Sequence, residues 1–275
     1  MNPTARPPRT WTALTLCLVA LGCGSARTVT ATPTTAPPSA AAAALVAPGN
    51  AATYTRFAVA TDHPEASRAG AEILAAGGTA ADAAAAAMLA LGVASPASSG
   101  LGGGGFALYY RASDHSVTFL DFRESAPAAM TPALLTALQM GPPPADAGAP
   151  AAPRATGPSV GVPGEPRGIE EMLRRFGTLG LARVVAPAAR LAEEGFTPSE
   201  HLAGLSQRFV GALRRDPLGQ TWVPDGADGI RANVPLRNPA LARTLRAFGA
   251  DGARVFYEGP LADDLVATMV SPDVS

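Results

Sequence analysis

Few residues in this 275-residue chain have the type and spacing to do chemistry. Asp121-Phe122-Arg123-Glu124 ends an apolar stretch, and Ser98-Ser99-Gly100-Leu101-Gly102-Gly103-Gly104-Gly105 lies shortly before it. A guanidinium at the end of a strand can clamp a carboxylate through two parallel hydrogen bonds. The competing reading is an arginine neutralised by its own neighbours, Asp121 or Glu124. Gly100, Gly102 and Gly105 satisfy the dinucleotide-binding spacing, but that fingerprint requires a strand before it and a helix after it, with the pyrophosphate on the helix N-terminus. Here the order is reversed, so the segment is not read as a nucleotide cradle. The three histidines, His63, His115 and His201, are far apart, and both cysteines, Cys17 and Cys23, fall in the first 23 residues. No zinc ligand set and no disulfide framework can be assembled from them. All 21 basic residues are arginine, which excludes a lysine Schiff base, pyridoxal phosphate chemistry and the lysine of a phosphate loop. No metal chemistry is expected.

These residues need a scaffold, and the composition bounds it. The chain is 47% apolar and 16% charged with a net charge of −1, so it is no disordered polyelectrolyte and has no electrostatic case for a nucleic-acid partner. Aromatics are only 5% and alanine carries much of the apolar count, which predicts a core of closely packed backbone. Arg6 and Arg9, the apolar run Trp11–Leu21 and the small residues after it read as an export signal over 1–23, too short to span a bilayer as a helix. Ala20-Leu21-Gly22-Cys23 resembles a bacterial lipoprotein box with leucine one place late; Cys23 would carry the lipid, or the signal is an ordinary cleaved one. The expected location is exported, either periplasmic or anchored to the membrane through that lipid. Residues 24–55, rich in Thr, Pro and Ala, hold too little apolar area to offset ordering entropy and read as a flexible tether. The folded region is 56–275.

Within it, Phe57–Ala60 suits a buried strand. Pro64 opens a helix that stops at Gly77-Gly78. Thr79 with Asp82 forms a capping box for a helix over 80–91, apolar nearly all round, with Gly92 as its stop. Phe106–Tyr110 and Val117–Arg123 form an antiparallel hairpin through Ala112–His115, with Val117, Phe119, Asp121 and Arg123 on one face. Gln139–Pro158 reads as a surface loop and Val160–Gly164 as a tight backbone crossing. Helices are predicted over 165–176, 181–195, 199–214, 240–248 (after Asn238-Pro239) and about 260–270. The apolar stripe of Leu181–Leu191 is core packing, and His201 lies on a helix surface.

Several stretches together resemble the γ-glutamyltransferases, also called γ-glutamyl transpeptidases. They are Val59-Ala60-Thr61-Asp62-His63-Pro64, Ile73-Leu74 through Gly77-Gly78 to Ala81-Asp82-Ala83, Ser98–Phe106, Asp121-Phe122-Arg123-Glu124 with Ala126-Pro127, Gly161-Val162-Pro163-Gly164, Ala186-Pro187-Ala188 with Ala192–Phe196, and Phe256-Tyr257-Glu258-Gly259. The resemblance runs from about Phe57 to the C-terminus. It implies an α+β fold, the N-terminal-nucleophile hydrolase αββα sandwich, incomplete in this chain. It also implies a precursor that cuts itself into large and small subunits. The small subunit's new N-terminal threonine attacks a γ-glutamyl amide, usually glutathione, and the acyl group passes to water or to an amino-acid or peptide acceptor, with no cofactor. Arg123 becomes the clamp for the substrate α-carboxylate. No Thr-Thr-His, the start of that family's catalytic segment, occurs here, and Thr34-Thr35 is followed by Ala36. The chain alone is therefore expected to be inactive. The alternatives are a non-catalytic lipoprotein that binds a partner or γ-glutamyl ligand, and a relative acting on acylated β-lactams.

Overall fold

The computed structural model describes residues 54–140, 160–215, 217–223 and 225–269, within a unit spanning Tyr54–Ser275. The expected signal with Cys23, the tether up to residue 53 and most of the Gln139–Pro158 loop lie outside the described residues.

The elements are α1 (Pro64–Ala75), α2 (Ala80–Ala94), β1 (Gly105–Arg111), β2 (Ser116–Phe122), α3 (Pro132–Met140), α4 (Glu165–Phe176), α5 (Leu181–Glu194), α6 (Glu200–Arg208), α7 (Val210–Leu213), α8 (Pro217–Trp222), α9 (Pro239–Asp251), a 3₁₀ turn at Ala253–Phe256, and α10 (Pro260–Met269). Helix α1 starts with Pro64 in its first turn and ends in a Schellman motif: Gly78 N–H reaches Ile73 O at 3.0 Å, and Gly77 N–H reaches Leu74 O with Gly77 at φ +89°. Both bonds of the Thr79–Asp82 capping box are present at the start of α2. Helix α2 is buried on nearly every side, and its alanines let α1, α4 and α5 approach closely around Ile73, Leu89, Val93, Ile169 and Val184.

Five expectations are corrected. Phe57–Ala60 forms no strand, because no described strand lies beside it to complete a hydrogen-bond ladder; Val59 instead packs over Gly70. Gly92 does not stop α2, which continues to Ala94. A Cβ at Gly92 would sit 3.0 Å from Gly100 Cα, so this glycine serves close packing against the glycine loop. The 199–214 helix breaks at Phe209 (φ −113°, ψ 20°), and Val210 and Leu213 then turn onto the core. Strand β2 ends at Phe122, leaving Arg123 just past it. Helix α3 occupies Gln139 and Met140, which were assigned to the loop, and α8 was not anticipated.

The hairpin is antiparallel, with Phe106 opposite Asp121, Leu108 opposite Phe119 and Tyr110 opposite Val117. Its other face, Ala107, Tyr109, Leu120 and Phe122, packs on the helices, where Tyr109 stacks on Phe176 at 4.1 Å. Gly164 makes the expected crossing and Gly168, inside α4, extends it: a Cβ on either would land on Phe122, on its carbonyl oxygen and its ring respectively. This crossing locks the end of β2 to the start of α4.

Candidate functional site

Arg123 emerges where β2 gives out. Its backbone N–H donates to Asp121 Oδ1 at 3.0 Å, so Asp121 fixes the main chain rather than the guanidinium. The guanidinium's partner is Glu124: Nε lies 3.0 Å from Glu124 Oε2, a charge contact whose N–H is not directed as a hydrogen bond requires. The side chain is 59% exposed and its Cζ lies 5.8 Å from the Phe106 ring centroid. Among the described residues the two Nη groups take no hydrogen bond, leaving a forked donor pair facing solvent at the end of the hairpin's apolar face.

Glu124 is held by backbone. Ser125 and Val162 exchange both amide bonds of an antiparallel bridge (Ser125 N to Val162 O 3.3 Å, Val162 N to Ser125 O 2.8 Å). A Cβ at Gly161 would sit 2.9 Å from Glu124 Cβ, and one at Gly103 would sit 3.4 Å from Oε1. Gly103 O in turn accepts from Gly164 N (2.8 Å) and Glu165 N (2.9 Å), which ties the glycine loop to the start of α4. The glycines therefore give close backbone approach around Glu124.

The residue that sequence reasoning missed is Glu165. Acids in a helix's first turn are ordinarily solvated, and nothing in the spacing marks this one, yet it is only 4% exposed. Burial pushes its carboxyl up to about 7; the Gly100 amide, donating to it, pulls the other way, and the Glu124 charge adds to the rise.

The remaining candidates are structural. His63 caps α1: Nδ1 accepts from Glu65 N–H (3.3 Å), which leaves the proton on Nε2 to bond Thr197 O (3.3 Å). His115 pairs with Tyr110 Oη at the hairpin turn, and His201 is exposed on α6 as expected. A cleft of about 860 Å³ runs between β2 and α4, but Arg123 does not line it. Its charges are mutually engaged: Glu171 pairs with Arg174 and Arg175, and Arg167 lies over the Tyr257 ring.

A helix-backed hairpin with one bare apolar face, reached through a glycine loop, is part of the N-terminal-nucleophile hydrolase fold. Solved structures of that class superpose on the chain. The γ-glutamyltranspeptidase of Helicobacter pylori does so with a TM-score of 0.67 and 28% identity, covering 78% of this chain and 60% of that one. The cephalosporin acylase of Bacillus halodurans gives 0.64 and 31%, covering 78% and 40%. The profile described as Gamma-glutamyltranspeptidase matches residues 66–272, and the chain belongs to that family. It is 36% identical over 215 residues to the glutathione hydrolase proenzyme of Bacillus subtilis (strain 168), covering 77% of this chain and 35% of that protein. The chain thus spans about a third of the length of such relatives.

Proposed function

We propose that this chain is the N-terminal, large-subunit part of an exported γ-glutamyltransferase that uses glutathione or a related γ-glutamyl amide. The observation that carries this reading is Arg123: within a chain of this family, it holds a free donor fork at the end of an apolar sheet face, with Glu124 steadying it from behind. A γ-glutamyl donor carries a free α-carboxylate, which suits that fork. The nucleophile is a threonine at the start of a small subunit encoded beyond Ser275. Its hydroxyl attacks the γ-glutamyl carbonyl, its own α-amine takes the proton and passes it to the departing amine as the C–N bond breaks, and backbone amides hold the oxyanion. Water, an amino acid or a peptide then accepts the acyl group. Export follows from the 1–23 signal, with Cys23 as the lipid attachment point. The 275 residues alone have no turnover.

The test is to read and express the whole reading frame that carries this chain and to follow chromophore release from a γ-glutamyl anilide. A frame that reaches Thr-Thr-His should give an active, self-cleaved enzyme. In it Arg123→Ala loses about 10- to 100-fold in kcat/KM, the equivalent of one charge-assisted hydrogen-bonded contact. A stop after Ser275 without turnover would leave the ligand-binding lipoprotein. An enzyme that hydrolyses acylated β-lactams and is indifferent to Arg123→Ala would belong with the cephalosporin acylase.

A further inference from the structure

Among the described residues, two buried side-chain oxygens have no hydrogen-bond partner, Glu124 Oε2 and Glu165 Oε1. They belong to one cluster. Glu165 opens α4 with its N–H on Gly103 O, and Glu124 packs between Gly103 and Gly161. The coil after β2 brings Glu124 towards Glu165, and behind Glu124 stands Arg123, 3.0 Å from Oε2. The glycine loop carries no titratable side chain, and the cation at the start of α4, Arg167, lies over the Tyr257 ring. The side-chain charge that acts on Glu165 is that of Glu124.

A buried carboxylate beside a second one, with no cation of its own, is costly to ionise. Glu124, 29% exposed, has the guanidinium, and Glu165, 4% exposed, has none. We propose that Glu165 is a positioning residue for the Arg123 site, holding one proton for the pair so that Glu124, and through it the guanidinium, is held facing an incoming carboxylate. This rests on the reading of Arg123 as the carboxylate clamp. Ionising Glu165 sets a second negative charge behind the guanidinium, which then binds substrate carboxylate less well. Burial raises the Glu165 carboxyl to about 7, and the Glu124 charge adds to the rise.

Two measurements test this. In the protein expressed from the whole reading frame, carbon-13 NMR of labelled glutamate should find one buried carboxyl titrating near pH 7. That signal is lost in Glu165→Gln and moves to lower pH in Glu124→Gln, which removes the like charge. If both carboxyls are ionised by pH 5.5, the proposal is wrong. In the enzyme expressed from the whole reading frame, KM for the γ-glutamyl anilide should rise several-fold between pH 6.5 and 8.5 relative to Glu165→Gln, with kcat following the same profile in both. Parallel KM profiles in the two proteins would overturn the positioning role even where the NMR titration is as expected. Arg123→Ala with an unchanged KM would instead overturn the clamp, while the proton-sharing measured by NMR would stand.

Discussion

Asp82 is fully buried and collects five donors: the amide and hydroxyl of Thr79, the amide and hydroxyl of Thr178, and the amide of Leu179. It thereby closes the capping box of α2 and pins to it the turn that follows α4. Burial alone would raise its carboxyl, but the bonds from Thr79, Thr178 and Leu179 outweigh burial and hold it below the usual carboxylate range. A group lowered in this way contributes stability that is complete above the unfolded value, about 3.9, and is lost as pH falls through the folded value. Asp82→Ala should therefore cost about 3 kcal/mol or more at pH 7, since it strands several buried donors. In urea titrations from pH 6 down to 2, the gap between the native chain and Asp82→Asn should narrow steadily; a gap independent of pH would mean that the charge is not what the site holds. The local half of this role is legible as Thr79 and Asp82 at capping spacing. The other half, 96 residues away at Thr178, is not, because no local pattern encodes which loop a buried carboxylate will meet. Arg123 is singled out by the family resemblance alone, while Glu165 is hidden by a position where acids usually face water.

Helices and their ends were mostly legible, since caps, prolines and glycines act within a turn or two. Elements that depend on a neighbour were not. Gly92 has the look of a stop but lies inside α2, because the glycine loop passes directly over it. Pro187 sits inside α5 at the expense of one helical hydrogen bond, and the burial of Val184, Val185, Ala188, Ala189 and Ala192 carries the helix through. The same contrast separates glycines that serve packing from glycines that merely weaken a helix. At Gly164, and at Gly168 within α4, an added methyl meets Phe122, backbone in the first case and ring in the second; at Gly204 within α6 it meets nothing within 4 Å. Gly168→Ala should destabilise by about 1–3 kcal/mol and Gly164→Ala by at least as much, since backbone cannot turn aside as a side chain can. Gly204→Ala should stabilise by about 0.5–1 kcal/mol through helix propensity. Thermal melts of the three variants check this, and a neutral Gly164→Ala would mean that the β2–α4 crossing is looser than described.

At the scale of the whole molecule the dominant feature is the bare face of the hairpin. Phe106, Leu108, Tyr110, Val117 and Phe119 are each more than half exposed, Leu108 at 75%, and the register sets them side by side, with Phe106 and Phe119 stacked at 5.6 Å. Alternation along β2 places Val117 and Phe119 on one face, but with Leu120 and Phe122 on the other nothing local says which of the two points outward. What lies against the bare face could not be read, since the described residues supply only two strands. A contiguous apolar patch of this kind is a liability in water. The chain by itself should therefore bind a hydrophobic dye and self-associate at micromolar concentration. Exchanging the cross-strand pair, Leu108→Thr with Phe119→Thr, keeps β-propensity and should leave a monomer by light scattering, with stability changed by no more than about 0.5 kcal/mol. In the protein expressed from the whole reading frame, the proposed second sheet covers this face, and the same pair then removes two buried side chains. The expected loss there is about 3–6 kcal/mol, at 1.5–3 kcal/mol for each large apolar group buried. If the double variant costs no more in that protein than in the isolated chain, the face is open to water in both, and the half-sandwich reading fails together with the small subunit proposed to complete it.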